Sequence, residues 1–373
     1  MKRLLFHSIL VGALCLQAQA SDAAYERLWN RAILFKGSEN ELFQEVRLIG
    51  REQLDFYAFK SNSSETLGLR NRRLRLGFNT RFLNDFTFTS EFDFNPGNPD
   101  PLFNKITDFS LKWAPRRSFK VTLGRQGSQF TLDGGTSSNN LQTIDRSVIS
   151  NNIGLLDDSV PGISVEGDVG RLFYRAGVYS SGSATRTFGK FDAGTMGVWS
   201  TGWHVDKQLG LEKAFLRFDH MILGDDPQNG QGTPGAFTRN QRHASAVNLQ
   251  AKNGPWGLLS ELAASQGRGT QSDLRAFQFQ PSYELSNSWQ IVTRYTWVES
   301  SEKRGVALVR FENLVTAKTC DRYREIYLGL NRYFYGHRLK WLIGLERAEM
   351  QDRLLSRPTR VSWGITNGFR VSW

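Results

Sequence analysis

The chain ends with Gly364-Ile365-Thr366-Asn367-Gly368-Phe369-Arg370-Val371-Ser372-Trp373, a stretch in which polar and apolar residues largely alternate up to a terminal aromatic side chain. In a β-strand, side chains at every second position share one face. The apolar face of this terminal segment comprises Val361, Trp363, Ile365, Phe369, Val371 and Trp373. A last strand that ends on an aromatic residue is typical of outer-membrane β-barrels, so this segment favours an antiparallel transmembrane barrel.

The other end of the chain carries an export signal. Lys2 and Arg3 precede a short apolar stretch over 4–16, and Ala18-Gln19-Ala20 has the small-x-small pattern of a cleavage site. The apolar stretch is too short to cross a bilayer as a helix. We therefore predict a signal peptide over 1–20, cleavage near Ala20, and a mature protein in the bacterial outer membrane.

Composition excludes several other classes. The mean hydropathy is −0.42, and no run after the export signal is apolar enough for a membrane helix, whereas barrel strands escape hydropathy scans. Cleavage removes Cys15 and leaves Cys320, so no internal disulfide can form. The net charge of +11 would indicate nucleic acid for a soluble protein, but in a barrel it can line the lumen and attract anions. We expect no nucleic-acid partner, no cofactor and no metal site.

Strand periodicity and connection lengths predict about sixteen strands. Residues 73–82 and 86–94 alternate clearly and flank a tight turn at Leu83-Asn84-Asp85, and the first two strands are predicted over 45–59 and 72–82. Short connections then alternate with long ones, the pattern of tight periplasmic turns and long outer loops. Sixteen strands enclose an aqueous channel. The predicted organisation is a short periplasmic lead over 21–42, with a small amphipathic helical turn, and a barrel over 43–373.

If the apolar set faces lipid, the opposite set faces the lumen. The predicted lumen-facing basic residues of the early strands are Arg73, Arg75, Arg81, Lys112 and Lys120. Glu91, Asp93 and Asp108 are expected to form an acidic wall opposed to them, unless cross-strand ion pairs take up these charges. The longest connection, 126–161, is expected to fold into the pore as the third outer loop, where Ser137 and its neighbours suit weak, reversible anion contacts.

Five motifs, in this order, resemble the phosphate-selective porin O and P family. Arg47-Leu48-Ile49-Gly50-Arg51-Glu52-Gln53-Leu54-Asp55-Phe56-Tyr57 is similar to the opening strand of the family, and Arg72-Arg73-Leu74-Arg75-Leu76-Gly77 resembles its paired-arginine second strand. Leu123-Gly124-Arg125 resembles the strand before the pore loop. Thr136-Ser137-Ser138 with Asp145-Arg146 resembles elements of that loop, and Tyr327-Leu328-Gly329-Leu330-Asn331-Arg332-Tyr333 resembles a strand near the end.

The resemblance implies a homotrimer of sixteen-stranded barrels in outer-membrane lipid, each with its own pore for small anionic solutes. By position, Arg72, Arg73 and Arg146 carry over, and Ser137 matches a loop hydroxyl. Arg125, at the end of the strand before the pore loop, is a further candidate pore-lining residue. Gly134 stands where phosphate-selective members place a loop lysine. Because a charge-assisted hydrogen bond is roughly twice as strong as a neutral one, we expect anion preference with poor phosphate selectivity. Phosphate and other oxyanions remain open as the natural solute.

Two other functions fit the sequence less well. One is a general or sugar-permeable porin without anion specificity. A sugar-specific porin would need a track of aromatic residues along the lumen, and most aromatic residues here lie on the apolar face. A barrel hydrolase would need a catalytic histidine with a nucleophile and an orienting partner. The mature chain has His204, His220, His243 and His337, but they lie in no characteristic catalytic motif. We therefore expect a channel and no enzyme.

Overall fold

The computed structural model describes residues 22–97, 100–154, 159–180, 195–224, 241–269 and 271–373. The predicted signal peptide lies outside these residues. Among the residues described, the helices are too short or too polar to cross a bilayer. The helices are α1 (Asp22–Asn30), α2 (Leu132–Gly135), α3 (Val148–Asn152), α4 (Asp206–Leu209) and two 3-10 turns at Phe311–Leu314 and Arg353–Leu355.

Antiparallel strands make up most of the described chain. The first half contains β1 (Ile33–Lys36), β2 (Phe43–Ser61), β3 (Glu65–Phe82), β4 (Phe86–Phe94), β5 (Phe103–Arg116), β6 (Phe119–Gly127), β7 (Ser159–Val169), β8 (Leu172–Ser180) and β9 (Thr195–His204). The second half contains β10 (Lys213–Leu223), β11 (Gln241–Asn253), β12 (Trp256–Gly267), β13 (Leu274–Ser286), β14 (Trp289–Ser300), β15 (Val306–Ala307), β16 (Thr319–Cys320), β17 (Arg322–Tyr335), β18 (Leu339–Gln351) and β19 (Arg360–Ser372).

Sixteen of these described strands form a closed barrel, which confirms the predicted fold. Each of β2–β14 and β17–β19 pairs with its neighbour, and the ring closes where β19 pairs with β2. The strand β1 is added to the start of β2, and β15 pairs with β16 in a separate hairpin. Closure pairs the first strand of the ring with the last, as a barrel in lipid requires.

The first outer connection differs from the prediction. Residues 62–64 form a tight turn, and β2 and β3 continue through most of the segment expected to be a loop. The alternation is hidden because residues 70–73 are four consecutive polar residues. The register explains them: Gln53 pairs with Arg73 and Leu54 pairs with Asn71, so Arg72 is the extra residue of a β-bulge.

The N-terminal lead packs against the short-turn end of the barrel. Trp29 of α1 is buried and donates from Nε1 to the carbonyl oxygen of Ser372 at 2.5 Å. Tyr25 stacks on Tyr335 with ring centroids 5.2 Å apart. β19 ends beside residue 50, and β1 pairs with residues 45–47, so β1 covers the edge of β2 that β19 leaves open. The lead thus completes the wall next to the C-terminus.

Two connections fold inward and fill part of the barrel. The first is the β6–β7 connection, and the second, residues 301–321, follows β14. Phe311 of the second connection stacks on Phe59 of β2, with ring centroids 5.0 Å apart. Val148 and Ile149 of the first connection are fully buried. The apolar core of the described chain therefore lies between these connections and the inside of the barrel wall.

Candidate functional site: the lumen and its inner loop

The described part of the β6–β7 connection, residues 128–154, is called the inner loop here. It lies against one half of the barrel interior. The backbone N–H of Leu132 donates to Asn248 on β11 at 3.1 Å, and the N–H of Asp133 donates to Glu261 on β12 at 2.6 Å. Further along, Gln53 on β2 donates to the carbonyl oxygen of Ser138 at 3.2 Å. These contacts hold the inner loop against the inside of the wall.

Basic side chains of the wall tie the inner loop in place. Lys340 on β18 donates from Nζ to the carbonyl oxygens of Asn139 and Leu141, both at 2.7 Å. Arg294 on β14 donates to the carbonyl oxygen of Asp145 at 3.0 Å. The side chains of Lys340 and Arg294 are almost fully buried. Buried cations that satisfy buried carbonyls hold a non-repetitive segment in one position.

Asp145 is the ionic centre of the inner loop. Its carboxylate accepts from Arg72 Nε at 3.0 Å and from Arg70 Nη2 at 3.3 Å. Burial by itself raises the pKa of Asp145, but the guanidinium groups of Arg72, Arg70 and Arg73 more than offset this and hold the pKa well below its usual range. Asp145 is therefore ionised, and the bulged Arg72 anchors the loop to β3.

The predicted loop residues divide between anchoring and the lumen surface. Arg146 donates to the carbonyl oxygens of Asp133 and Thr136, at 3.1 and 2.6 Å, so it binds the backbone of its own loop. Ser137 is exposed, as a residue that contacts solutes must be. At Gly134, a Cβ atom would lie 2.9 Å from the Thr131 hydroxyl, so a side chain at this position would contact the inner loop at its first carbon.

The other half of the interior, formed by β3–β9, is called the open wall here. Its polar face carries the predicted Arg73, Arg75 and Arg81 on β3, Lys112 on β5 and Lys120 on β6, because each pairs across the sheet with another lumen-facing polar residue. Arg73 donates to Gln53 at 2.8 Å. The predicted Arg125 is only 1% exposed and therefore does not present its guanidinium group to the lumen.

The acidic residues lie beside the arginines and not opposite them, which corrects the expected opposed walls. Asp93 on β4 pairs directly with Arg75 on β3, and their side chains bond at 3.1 Å. Glu91 bonds both Arg75, at 3.2 Å, and Arg51, at 2.5 Å. Asp108 on β5 pairs with Glu91 and accepts from Ser110 at 2.6 Å. Neighbouring strands bear both signs because β3, β4 and β5 are consecutive in the wall.

Sequence reasoning missed the residues that position the inner loop. Lys340, Arg294 and Arg370 each lie on a late strand, at positions that alternate with the apolar ones. Nothing in the sequence says that their partners include carbonyl oxygens 149 to 316 residues away. Arg51 belongs to the opening-strand motif and is not among the predicted pore residues, although it donates to Ser138 at 2.8 Å. Pairings between a loop backbone and a distant wall have no local sequence pattern.

Catalytic and metal sites find little support among the described residues. No group of three or more His, Cys, Asp or Glu side chains in this part of the chain could hold a metal ion. His220 Nδ1 lies 2.7 Å from the Ser245 hydroxyl on the outward face of β10 and β11. No carboxylate in the described chain orients that histidine, which a Ser–His catalytic pair requires. Cys320 is buried, which raises the pKa of its thiol.

The closed ring of strands, its apolar outer face and its charged lumen with a loop folded inside define the class of the protein: an outer-membrane channel of the porin type. The chain belongs to the phosphate-selective porin O and P family, whose model matches residues 46–257, more than half of the chain. No curated protein sequence matches the chain.

Solved porin structures share the fold. The outer-membrane channel DcaP of Acinetobacter baumannii is 14% identical, with a TM-score of 0.60 over 91% of this chain and 100% of that chain. OprB of Pseudomonas putida is 13% identical, with a TM-score of 0.62 over 87% of this chain and 94% of that chain. An anion-selective porin from Comamonas acidovorans is 12% identical, with a TM-score of 0.60 over 88% of this chain and 99% of that chain. Identities this low show a common fold only.

Proposed function

We propose that this porin conducts small hydrophilic solutes with a preference for anions and only weak selectivity for phosphate. One observation carries the anion preference: basic side chains outnumber acidic ones on the open wall. The basic residues are Arg73, Arg75, Arg81, Lys105, Lys112, Lys120 and Arg175, and the acidic ones are Glu91, Asp93, Asp108, Glu166 and Asp168. A lumen wall with excess positive charge raises the local anion concentration.

Weak phosphate selectivity follows from the inner loop. Arg146 is its single basic residue, and its guanidinium group binds loop carbonyls. The exposed Ser137 and Asn140 offer neutral groups only. Neutral hydrogen bonds are weaker than charge-assisted ones, so an oxyanion would be released easily.

The test is the reversal potential of the purified protein in a planar bilayer under a chloride gradient, followed by titration with phosphate. We expect an anion-selective current that phosphate blocks weakly. The variant Ser137→Lys should gain saturable phosphate block, because it places an ammonium group on the exposed side of the loop, whereas the matched Ser137→Ala should not. A cation-selective current, or tight phosphate block of the wild-type channel, would overturn the proposal.

A sugar-permeable channel is less well supported. Sugar recognition would need exposed aromatic rings along the lumen, and three of the inward-facing rings, Phe59, Tyr179 and Tyr327, are at most 3% exposed. These rings instead pack among the buried side chains of the interior. A general pore without charge preference would show a reversal potential near zero in the same experiment.

We also propose that the channel assembles as a homotrimer through the face of β2 and β3. Glu52 and Asn71 lie on the outward parity there, and the Asn71 amide donates to the Glu52 carboxylate. They are flanked along β3 by Leu69 and Leu74. Charged groups on the lipid face destabilise a barrel, so a neighbouring copy would shield this pair. Native mass spectrometry should give a trimer, and a monomer at all detergent concentrations would contradict the proposal.

A further inference from the structure

Five arginines lie on the outer surface of the barrel near its long-loop end. This outer-rim cluster consists of Arg275 on β13, Arg322 and Arg324 on β17, Arg347 on β18, and Arg353 just after β18. The four strand arginines occupy the outward parity, because the residues that alternate with them face inward and are buried. These inward residues are Tyr323 and Glu325 on β17, Leu274 and Ala276 on β13, and Glu346 and Ala348 on β18. They therefore point away from the pore that the proposed function uses.

The cluster lies where the apolar belt of the barrel ends. Arg324 pairs across the sheet with Trp297, and the guanidinium carbon of Arg347 lies 5.3 Å from the ring centroid of Trp363. One step further from the long-loop end, Leu328 and Leu345 are exposed neighbours. Aromatic residues mark the boundary between hydrocarbon and headgroups. The arginines thus lie at the depth of the outer-leaflet headgroups.

The positive charge of the cluster is only partly neutralised. Glu299 accepts from Arg322 at 3.0 Å and also from Arg353, so one carboxylate serves two guanidinium groups. Glu349 accepts from Arg347 at 2.5 Å. In the described chain, no carboxylate lies within ion-pair distance of Arg275 or Arg324. Arg353 Nε also lies 3.7 Å from Asp321 Oδ1. Five guanidinium groups therefore share three carboxylates, and the surface is complementary to an anion.

We infer that the outer-rim cluster binds the phosphorylated disaccharide headgroup of the glycolipid in the outer leaflet. Guanidinium groups bind phosphate oxygens in a bidentate fashion, and arginine is the preferred residue for such contacts. The acyl chains of the same lipid would lie against the exposed leucines below the cluster. This inference depends on the long-loop end of the barrel facing the outer leaflet. It does not depend on the ion preference of the pore.

The experiment measures retention of bis-phosphorylated lipid A by the purified protein, using native mass spectrometry across a lipid titration. Each arginine near an anionic lipid surface contributes about 1 kcal/mol, or roughly fivefold in affinity. The triple variant Arg322→Gln, Arg324→Gln, Arg347→Gln should bind about a hundredfold more weakly. A matched triple variant at the short-turn end, Arg116→Gln, Arg117→Gln, Lys252→Gln, should bind like the wild type.

The same samples also show whether each variant folds and whether its pore conducts normally. Both triple variants should keep the heat-dependent gel mobility of a folded barrel and the wild-type conductance. If the outer triple variant does not fold, Arg324→Gln alone should lower affinity about fivefold, because that arginine has no ion pair to lose. Unchanged lipid A binding in the outer variants would overturn the inference. Equal retention of phosphatidylglycerol, lost in the same variants, would also overturn it, since the surface would then bind any anionic lipid.

Discussion

Replacing Lys340 with methionine should loosen the inner loop and change the pore. The Lys340 ammonium group donates to Asn139 and Leu141, both at 2.7 Å, and contacts His337 Nδ1 at 3.0 Å. Its side chain is fully buried, so no water can replace these bonds. Methionine has a similar length and no donor, so the variant removes the hydrogen bonds while keeping most of the volume.

The magnitude follows from the two carbonyl bonds. A hydrogen bond from a charged donor contributes about 1.5–3 kcal/mol, and burial of the ammonium group offsets part of the sum. We expect a net loss of about 3 kcal/mol in the attachment of the loop segment around residue 140. Since each 1.4 kcal/mol is a factor of ten, the population with a detached segment should rise about 150-fold.

Single-channel recording measures this effect. Lys340→Met should give larger and noisier openings than the wild type, because a detached segment both widens and intermittently blocks the lumen. The matched variant Lys112→Met removes an ammonium group from the open wall, where it bonds Glu166 at 3.1 Å and does not touch the inner loop. That control should shift ion selectivity without adding noise. Identical conductance and noise in Lys340→Met and wild type would refute the role assigned to Lys340.

Three further predictions concern the wall, the loop anchor and the lead. Glu91→Gln should raise anion selectivity and Arg75→Gln should lower it, each by about fourfold in permeability ratio at low salt. This magnitude follows because one charge at about 5 Å in water contributes about 0.8 kcal/mol. Reversal potentials that move in the same direction in the two variants would contradict this prediction. Burial and the neighbouring Lys340 lower the pKa of His337 to about 4. The unfolded chain therefore takes up this proton first, and thermal stability should fall as pH drops from about 6.5 to about 4; His337→Gln should lack this component in melting curves. Trp29→Phe removes the bond to Ser372 and should cost about 1 kcal/mol, seen as a lower melting temperature with unchanged conductance.

The sequence was sufficient to predict a barrel and to predict which face of each early strand is polar. Apolar and polar residues alternate along a barrel strand because one face of the strand contacts lipid and the other contacts the interior. This requirement applies to every residue of the strand. The alternation therefore predicts Arg73, Arg75 and Arg81 on the polar face of β3, where each pairs with a polar residue of a neighbouring strand. The bulge at Arg72 was not predictable, because one extra residue in a run of polar side chains leaves the apolar pattern on either side intact.

The partners of the charged residues could not be predicted in the same way. Because a tight turn at 83–85 joins β3 and β4, the sequence could indicate that Glu91 lies beside Arg75, but not that Glu91 also bonds Arg51 on β2. Whether Arg146 faces the lumen depends on how the inner loop folds, and there it binds carbonyl oxygens of its own backbone. Residue type shows which side chains are charged. Only the tertiary structure determines which of these side chains bind the inner loop and which remain exposed to the lumen.

This division of charges bears on how the pore selects ions. Arg75 is shared by Glu91 and Asp93, so its charge is largely neutralised at the wall. Among the described residues, Arg81 and Lys120 have no carboxylate within ion-pair distance, and they supply part of the net positive field. A field from a few uncompensated charges is screened over about 10 Å at 0.1 M salt. Anion selectivity that arises in this way must decline as ionic strength rises, whereas selectivity from a tight binding site would persist.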